Sequence, residues 1–305
     1  MQHLLTLADL SAGEVRNILE VARGLREEWH QRGNRPLLAG KSLGMIFQKP
    51  SLRTRVSFER AMQHLGGTAL YLSPQEIQLG QRESVADVAR VLSRYVDGIM
   101  ARVFAHADVE NLAANSRVPV INGLSDKYHP CQALADYLTI WDKLGHLQGV
   151  KLAYIGDGNN VAHSLLVGGA KLGVNVTVAC PVGYEPQEDV LVIAGQAADD
   201  SGAQLRVVHE PAEAARDADV IYTDVWASMG QEKEAEERRR FFAGYQVNAA
   251  LLTQAKPGAI VMHDLPAHRG EEITDEVMDG PQSVVFDQAE NRLHAQKAVL
   301  ALLLQ

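Results

Sequence analysis

The chain has only two cysteines in 305 residues, Cys131 and Cys180. Two are too few for a disulfide framework, and they lack the spacing of a metal site. A reduced cytoplasm is the compartment this usage fits. No run of about 18 apolar residues occurs, so no membrane-crossing helix is expected. The start, Met1-Gln2-His3-Leu4, has no basic stretch leading into an apolar core, and no export signal is read there. Positive charge is in deficit: 29 Lys and Arg against 38 Asp and Glu give a net charge of −9. Such a chain has no general attraction for nucleic acid or an anionic membrane, and neither is expected as a partner. Any anion must be held by a local basic cluster instead. No repeat of 20–50 residues and no low-complexity tract is present, which excludes a solenoid or a disordered tail.

What is present is a hydrophobic content of 46%, ample for two packed cores. Short apolar runs alternate with helical patterns along most of the chain. That alternation predicts the class α/β, with two domains, each a mainly parallel sheet with helices on both faces, linked by long helices. The expected boundaries are residues 1–140 and 150–289, with a C-terminal helix over 290–305 packing back on the first domain. Ser11 and Glu14 have capping-box spacing, so a first helix is expected to run to about Trp29. Strands are expected over 43–47, 68–72, 98–104, 118–122, 150–155, 176–180, 205–208 and 220–224. Residues 73–84 read as a long polar loop, 85–95 as an amphipathic helix, and the charged run Glu232 to Arg240 as a solvated helix or loop.

The local basic cluster follows the first strand, in Lys49-Pro50-Ser51-Leu52-Arg53-Thr54-Arg55. Ser51 falls where a helix N-cap belongs, and Val56, Phe58, Met62 and Leu65 are candidate core positions of that helix. A helix start offers unpaired N–H groups and the positive end of the helix dipole. Two hydroxyls and two guanidiniums beside them suit a doubly charged oxyanion. The alternative is an ordinary cap with solvated arginines. Arg102 stands near the C-terminal end of a strand, where ligands of open α/β sheets bind, or else it is a salt-bridged structural residue. His129 sits at the entrance of a helix begun by Pro130, and Gln132 lies one turn in, so both can face one ligand. Imidazole and amide are the neutral donors that a carbonyl under attack requires.

A glycine turn, Gly156-Asp157-Gly158-Asn159-Asn160, opens the second half. A dinucleotide fingerprint needs a third glycine where Val161 stands, and an acidic residue closing the next strand, which Val176 to Cys180 does not supply. Asp224 closes a later strand, suited to fixing an ammonium group or to capping the next segment.

These segments resemble the aspartate and ornithine carbamoyltransferase family. Ser51-Leu52-Arg53-Thr54-Arg55 is similar to its phosphate-binding motif, with Leu52 where that motif often has threonine. Ala101-Arg102-Val103-Phe104, His129-Pro130-Cys131-Gln132-Ala133-Leu134-Ala135-Asp136 and Glu290-Asn291-Arg292-Leu293-His294 resemble later motifs. Gly156 to Asn160 and Asp224-Val225-Trp226-Ala227-Ser228-Met229-Gly230 resemble the ornithine branch. His263-Asp264-Leu265-Pro266 matches another segment except at Asp264, where the ornithine enzymes carry cysteine.

The resemblance implies a homotrimer, or trimers assembled further, acting on carbamoyl phosphate and L-ornithine to give L-citrulline and phosphate. It implies that residues 1–140 bind carbamoyl phosphate and 150–289 bind ornithine. Ser51, the Leu52 backbone, Arg53 and Thr54 would hold the phosphate, with Gln78 contributed by a neighbouring subunit. Arg102, His129, Gln132 and Arg292 would polarise the carbonyl, in company with Pro130 and Cys131. Asn160, Asp224, Ser228 and Met229 would hold ornithine, and Asp264 and Leu265 would close over the reacting atoms. Arg55 is expected to organise the loop by ion pairing. The chemistry asks for positioning and electrostatics, with no metal or organic cofactor. Asp264 leaves open a carbamoyltransferase for another amine, or a carbamoyl phosphate-binding protein of low activity.

Overall fold

The computed structural model describes residues 1–227 and 234–305, so Ser228 and Met229 lie outside the described residues. The chain divides into two compact units, Met1–Leu138 with Asn291–Gln305, and Thr139–Glu290. Among the described residues every strand pairing within the two sheets is parallel. No helix is long and apolar enough to cross a membrane.

The first unit holds β1 (Ser42–Phe47), β2 (Thr68–Leu72), β3 (Gly98–Arg102) and β4 (Val120–Leu124) in the order β2-β1-β3-β4. The connecting helices are α1 (Ala12–Arg32), α2 (Leu52–His64), α3 (Pro74–Ile77), α4 (Val85–Leu92), α5 (His106–Asn115) and α6 (Pro130–Leu144). The Ser11–Glu14 capping box forms as its spacing predicts, and α1 ends at Gly33 rather than near Trp29. Phe58, Met62 and Leu65 are buried, but Val56 is 46% exposed. Ser51 sets the phase of α2, and two residues is more than half a turn, so Val56 faces away from Phe58. The segment read as a loop contains α3, whose Ser73 and Glu76 form a second capping box. α4 stops at Leu92, short of the expected Tyr95.

The second unit holds β5 (Lys151–Ile155), β6 (Asn175–Ala179), β7 (Leu205–Val208), β8 (Val220–Thr223) and β9 (Ile260–His263) in the order β7-β6-β5-β8-β9. Its helices are α7 (Asn160–Leu172), α8 (Glu188–Ser201), α9 (Pro211–Ala215), α10 (Ala235–Phe242), α11 (Ala249–Leu252) and α12 (Asp275–Met278). Ile155, Ile221, Phe242, Val261 and Val285 share one apolar core. The charged run is not wholly solvated: Arg238 on α10 is buried. Its Nη1 donates to Asp157 Oδ2 at 2.7 Å and to the Trp226 carbonyl at 2.9 Å.

The last helix, α13 (Val285–Leu304), crosses from the second unit into the first, as α6 crosses from the first into the second. A Cβ on Gly98 would lie 2.6 Å from Leu304 Cδ2, so the glycine admits the end of α13 against β3. Each sheet reverses its order about its first strand, β1 in one unit and β5 in the other. Ligands of open α/β sheets bind outside the C-terminal ends of the strands at such switch points. The Ser51 segment follows β1 and the Gly156–Asn160 turn follows β5.

Candidate active site

In the first unit the cluster is built around Thr54. Ser51 is the N-cap of α2 and accepts from the Thr54 N–H. The cap leaves Leu52 at the first helical position, its side chain 76% exposed and its backbone N–H at the positive end of the helix. Thr54 is fully buried. Arg102, at the end of β3, donates from Nη1 to Thr54 Oγ1 at 3.2 Å, and Arg292, on α13, donates from Nη2 to the same oxygen at 3.0 Å. Ser51 Oγ lies 3.1 Å from the same oxygen, a third hydrogen-bond partner. Residues 48, 190 and 238 positions from one another in sequence thus converge on one side chain. Arg292 is buried, not the surface charge of a helix. Arg53 is half-buried beside them. Arg55 is spent as expected, paired with Glu59 at 2.9 Å and stacked over Tyr71.

His129 is buried at the start of α6. Burial first, then the charges of Arg292, Arg102 and Lys49, hold its imidazole well below the ordinary range, so the ring is neutral. A neutral ring among cations donates one hydrogen bond without adding charge. Gln132 donates from Nε2 to Asp136 Oδ1 at 2.8 Å. The carboxylate needs that donor, which fixes the amide's orientation and turns Oε1 outward from the pair. Only one of the two amide N–H groups is used in that bond. Cys131 is buried and its Sγ lies 3.5 Å from the Asn122 carbonyl. Burial pushes its thiol up to about 12, so it stays protonated and serves the packing of α6 on β4. Gln78 is exposed, in the left-handed region at φ +39, at the end of the one-turn α3.

In the second unit the cluster sits where β5, β8 and β9 end. Gly158 has no room for a side chain, since a Cβ there would lie 2.3 Å from the Pro186 nitrogen. That close backbone passage sets the turn into α7. Asn159 caps α7, its Oδ1 accepting from the Val161 and Ala162 N–H groups. Its Nδ2 donates to Asp224 Oδ2 at 2.8 Å. The Val225 N–H donates to Asp224 Oδ1 at 2.7 Å. Asn160, the residue expected to meet substrate, is the half-buried first residue of α7. The sequence reading missed Asn159; an asparagine just ahead of a helix start was the available signal.

Strands β8 and β9 pair with Thr223 opposite His263, so the next residues of each, Asp224 and Asp264, stand side by side. Burial, then the charge of Asp264 and a hydrogen bond with it, push the Asp224 carboxyl well above its usual range. Asp264 also lies 3.5 Å from His263 Nδ1. His263 is fully buried, and its Nε2 is 3.0 Å from Glu272 Oε1. Burial opposes charge on this ring, but its contacts with Asp264 and Glu272 outweigh that and raise it to about 9. The Leu265 N–H lies 2.9 Å from the same Nδ1 and finds a lone pair there only when the ring is neutral, above that value. Leu265 itself is half-buried at φ +61, a left-handed conformation held in part by that bond. Buried Gln288 accepts from the His263 N–H at 2.8 Å and donates to the Tyr222 hydroxyl, fixing the end of β9.

The first unit thus offers concentrated positive charge and a neutral imidazole, the second an acidic pair, one member buried and one half-buried. The family profile described as "Aspartate/ornithine carbamoyltransferase, carbamoyl-P binding domain" matches residues 2–142. That described as "Aspartate/ornithine carbamoyltransferase, Asp/Orn binding domain" matches residues 148–303. The anabolic ornithine carbamoyltransferase of Pyrococcus furiosus is 63% identical over 302 residues, 99% of this chain and 96% of that protein. The ornithine carbamoyltransferase of Bacillus subtilis is 56% identical over 301 residues, 99% of this chain and 93% of that protein. A solved structure of the Pyrococcus furiosus ornithine carbamoyltransferase has a TM-score of 0.97 at 62% identity, covering 99% of this chain and 97% of that one. With profiles matching both halves and relatives more than half identical along nearly its whole length, the chain belongs to the aspartate/ornithine carbamoyltransferase family.

Proposed function

We propose that the chain transfers the carbamoyl group of carbamoyl phosphate to L-ornithine, releasing L-citrulline and phosphate, in the biosynthetic direction. The observation that carries the choice of amino acid is the acidic pair of buried Asp224 and half-buried Asp264. Two carboxyls suit a side-chain amine and repel a second substrate carboxylate. Identity to relatives described as ornithine carbamoyltransferases supports the same choice.

In this reading Ser51, the Leu52 N–H, Arg53 and Thr54 hold the phosphate at the start of α2. Arg102 and Arg292, held on Thr54, direct their remaining N–H groups at the carbamoyl oxygen, and His129 adds a neutral donor. Gln132 accepts from the carbamoyl NH2, with Pro130 and Cys131 contributing through the backbone. As the amine attacks, negative charge grows on the carbonyl oxygen, and donors already fixed in place stabilise it without reorganising. Asn160, Ser228 and Met229 hold the amino-acid end of ornithine, while Asp224, Asp264 and Leu265 surround its side-chain amine.

The assembly we propose is a homotrimer, or trimers joined further, in the cytoplasm. Exposed Leu52, Val56 and Leu70, on α2 and the edge strand β2, supply apolar surface for such a contact. The exposure of Gln78 suits a residue lent to a neighbouring copy. Two free, buried cysteines agree with a reduced compartment.

The test is citrulline and phosphate release from carbamoyl phosphate with ornithine, beside aspartate, lysine and short diamines. Turnover confined to ornithine supports the reading. Preference for another amine sinks the substrate assignment, and phosphate release with no amine product sinks the transferase.

A further inference from the structure

We propose that Asp224 and Asp264 act together as the catalytic base, holding between them the proton that the attacking amine gives up. The inference rests on the functional reading above and adds a role for the aspartate that replaces cysteine.

The pairing of β8 with β9 brings both carboxyls to one place, one residue beyond Thr223 and His263. Oxygens of Asp224 and Asp264 and a His263 nitrogen lie within 4.8 Å of one another. Two ionised carboxylates this close repel each other, and burial of Asp224 adds to the cost. One proton is therefore shared. Both Asp224 oxygens already accept N–H groups, from Asn159 and Val225. Those donors favour the ionised form of Asp224, but burial and the charge of Asp264 outweigh them.

Among the described residues, the other titratable groups facing the pair are His263 and Tyr154, with Asp157 among the charges around Tyr154. His263 turns its Nε2 to Glu272, and Asp157 is paired with Arg238. Tyr154 stays a neutral phenol, because burial and the neighbouring carboxylates push it well above its ordinary value.

Ornithine in water carries its side-chain nitrogen as an ammonium, which has no lone pair for attack. When the ammonium meets the doubly ionised pair, one N–H bond breaks and one O–H bond forms between the two aspartates. The charges before transfer, two negative and one positive, become one negative and a neutral amine. The nitrogen lone pair is then free to attack the carbamoyl carbon. A lone carboxylate is too weak a base for this, and the like charge of its neighbour is what makes the pair strong enough. The proton belongs to the pair, so its titration is a property of both residues.

The experiment measures kcat and KM for ornithine across pH in the unmodified protein, in Asp264→Asn and in Asp264→Cys. Infrared difference spectra of the same proteins report the protonated carboxyl directly. In the unmodified protein kcat/KM is expected to rise with pH to a plateau as the pair loses its shared proton. In Asp264→Asn the limb moves to lower pH by about one unit or more, as the like charge is gone. Its kcat falls about 100-fold, with a smaller change in KM. The neutral-pH carboxyl band disappears in both variants.

An unchanged limb and kcat in a folded Asp264→Asn protein overturn the inference. So does a persistent carboxyl band in both variants, or none in the unmodified protein. Should Asp264→Asn fail to fold, Asp264→Cys carries the comparison. Failure of the unmodified protein to form citrulline at any pH sinks the functional reading instead, and the infrared band still tests the shared proton.

Discussion

At the scale of single residues, the first unit's chemistry depends on Thr54 more than on any one arginine. Its hydroxyl is the common acceptor for Arg102 and Arg292, so it sets where both guanidiniums point. Thr54→Val keeps the shape and removes the acceptor. Two buried guanidiniums then lose this acceptor, which costs about 1–3 kcal/mol in stability. The KM for carbamoyl phosphate is expected to rise about tenfold or more, equivalent to about 1.4 kcal/mol, with the KM for ornithine little changed. Equal effects on both substrates would mean that Thr54 acts through the fold alone. The importance of this threonine was only half legible in the sequence. Its place one turn into a helix was readable from Ser51, but its partners are far away in the chain and were brought to it by tertiary structure.

Among the elements, the turn between β5 and α7 is tightly constrained by backbone. Gly158 passes so close to Pro186 and Glu185 that a methyl group would lie 2.3 and 2.4 Å from their backbone atoms. Gly158→Ala forces that backbone apart and moves Asn159, which both caps α7 and holds Asp224. We expect a loss of about 1–3 kcal/mol, read as a lower melting midpoint, together with weaker ornithine binding. A variant with unchanged melting and ornithine KM would show that the turn yields freely. The glycine-rich turn itself was plain in the sequence, and the missing third glycine kept it from being taken for a dinucleotide site. The reason for Gly158 was not, since it lies in a loop almost thirty residues later. The capping box of α3 was also present as Ser73 and Glu76, yet the polar composition of the segment hid it. Short apolar runs made eight of the nine strands among the described residues readable and left β9 unread, whereas the phase of α2, and with it the exposure of Val56, depended on where its cap fell.

For the molecule as a whole, the first unit carries a buried set of bases with consequences for acid stability. Burial and the nearby charge of Lys297 lower His64 from 6.5 to about 4 and His294 to about 3. In the unfolded chain both rings take a proton near pH 6.5. Their contribution is therefore complete above that value and lost as pH falls from about 6.5 toward 4 and 3. Lys297, lowered to about 8, has the same sign in a higher window, its contribution complete above about 10.5 and already lost below about 8. Melting midpoints should fall between pH 7 and pH 4.5, and a His64→Gln/His294→Gln protein should show a shallower fall. An identical slope in both would assign acid sensitivity to carboxylates instead.

The first unit is closed by a stretch that comes after the whole of the second in the chain. A ribosome makes residues 139–290 before it makes Arg292, Lys297 and Leu304. The nascent sheet of β1 to β4 must therefore wait, with the surface beside Gly98 uncovered, while an entire second core is synthesised. Translation halted just after Glu290 leaves a chain whose second unit has all its residues and whose first lacks both its last helix and one of the two arginines on Thr54. During synthesis the unit that begins first is the one that finishes last.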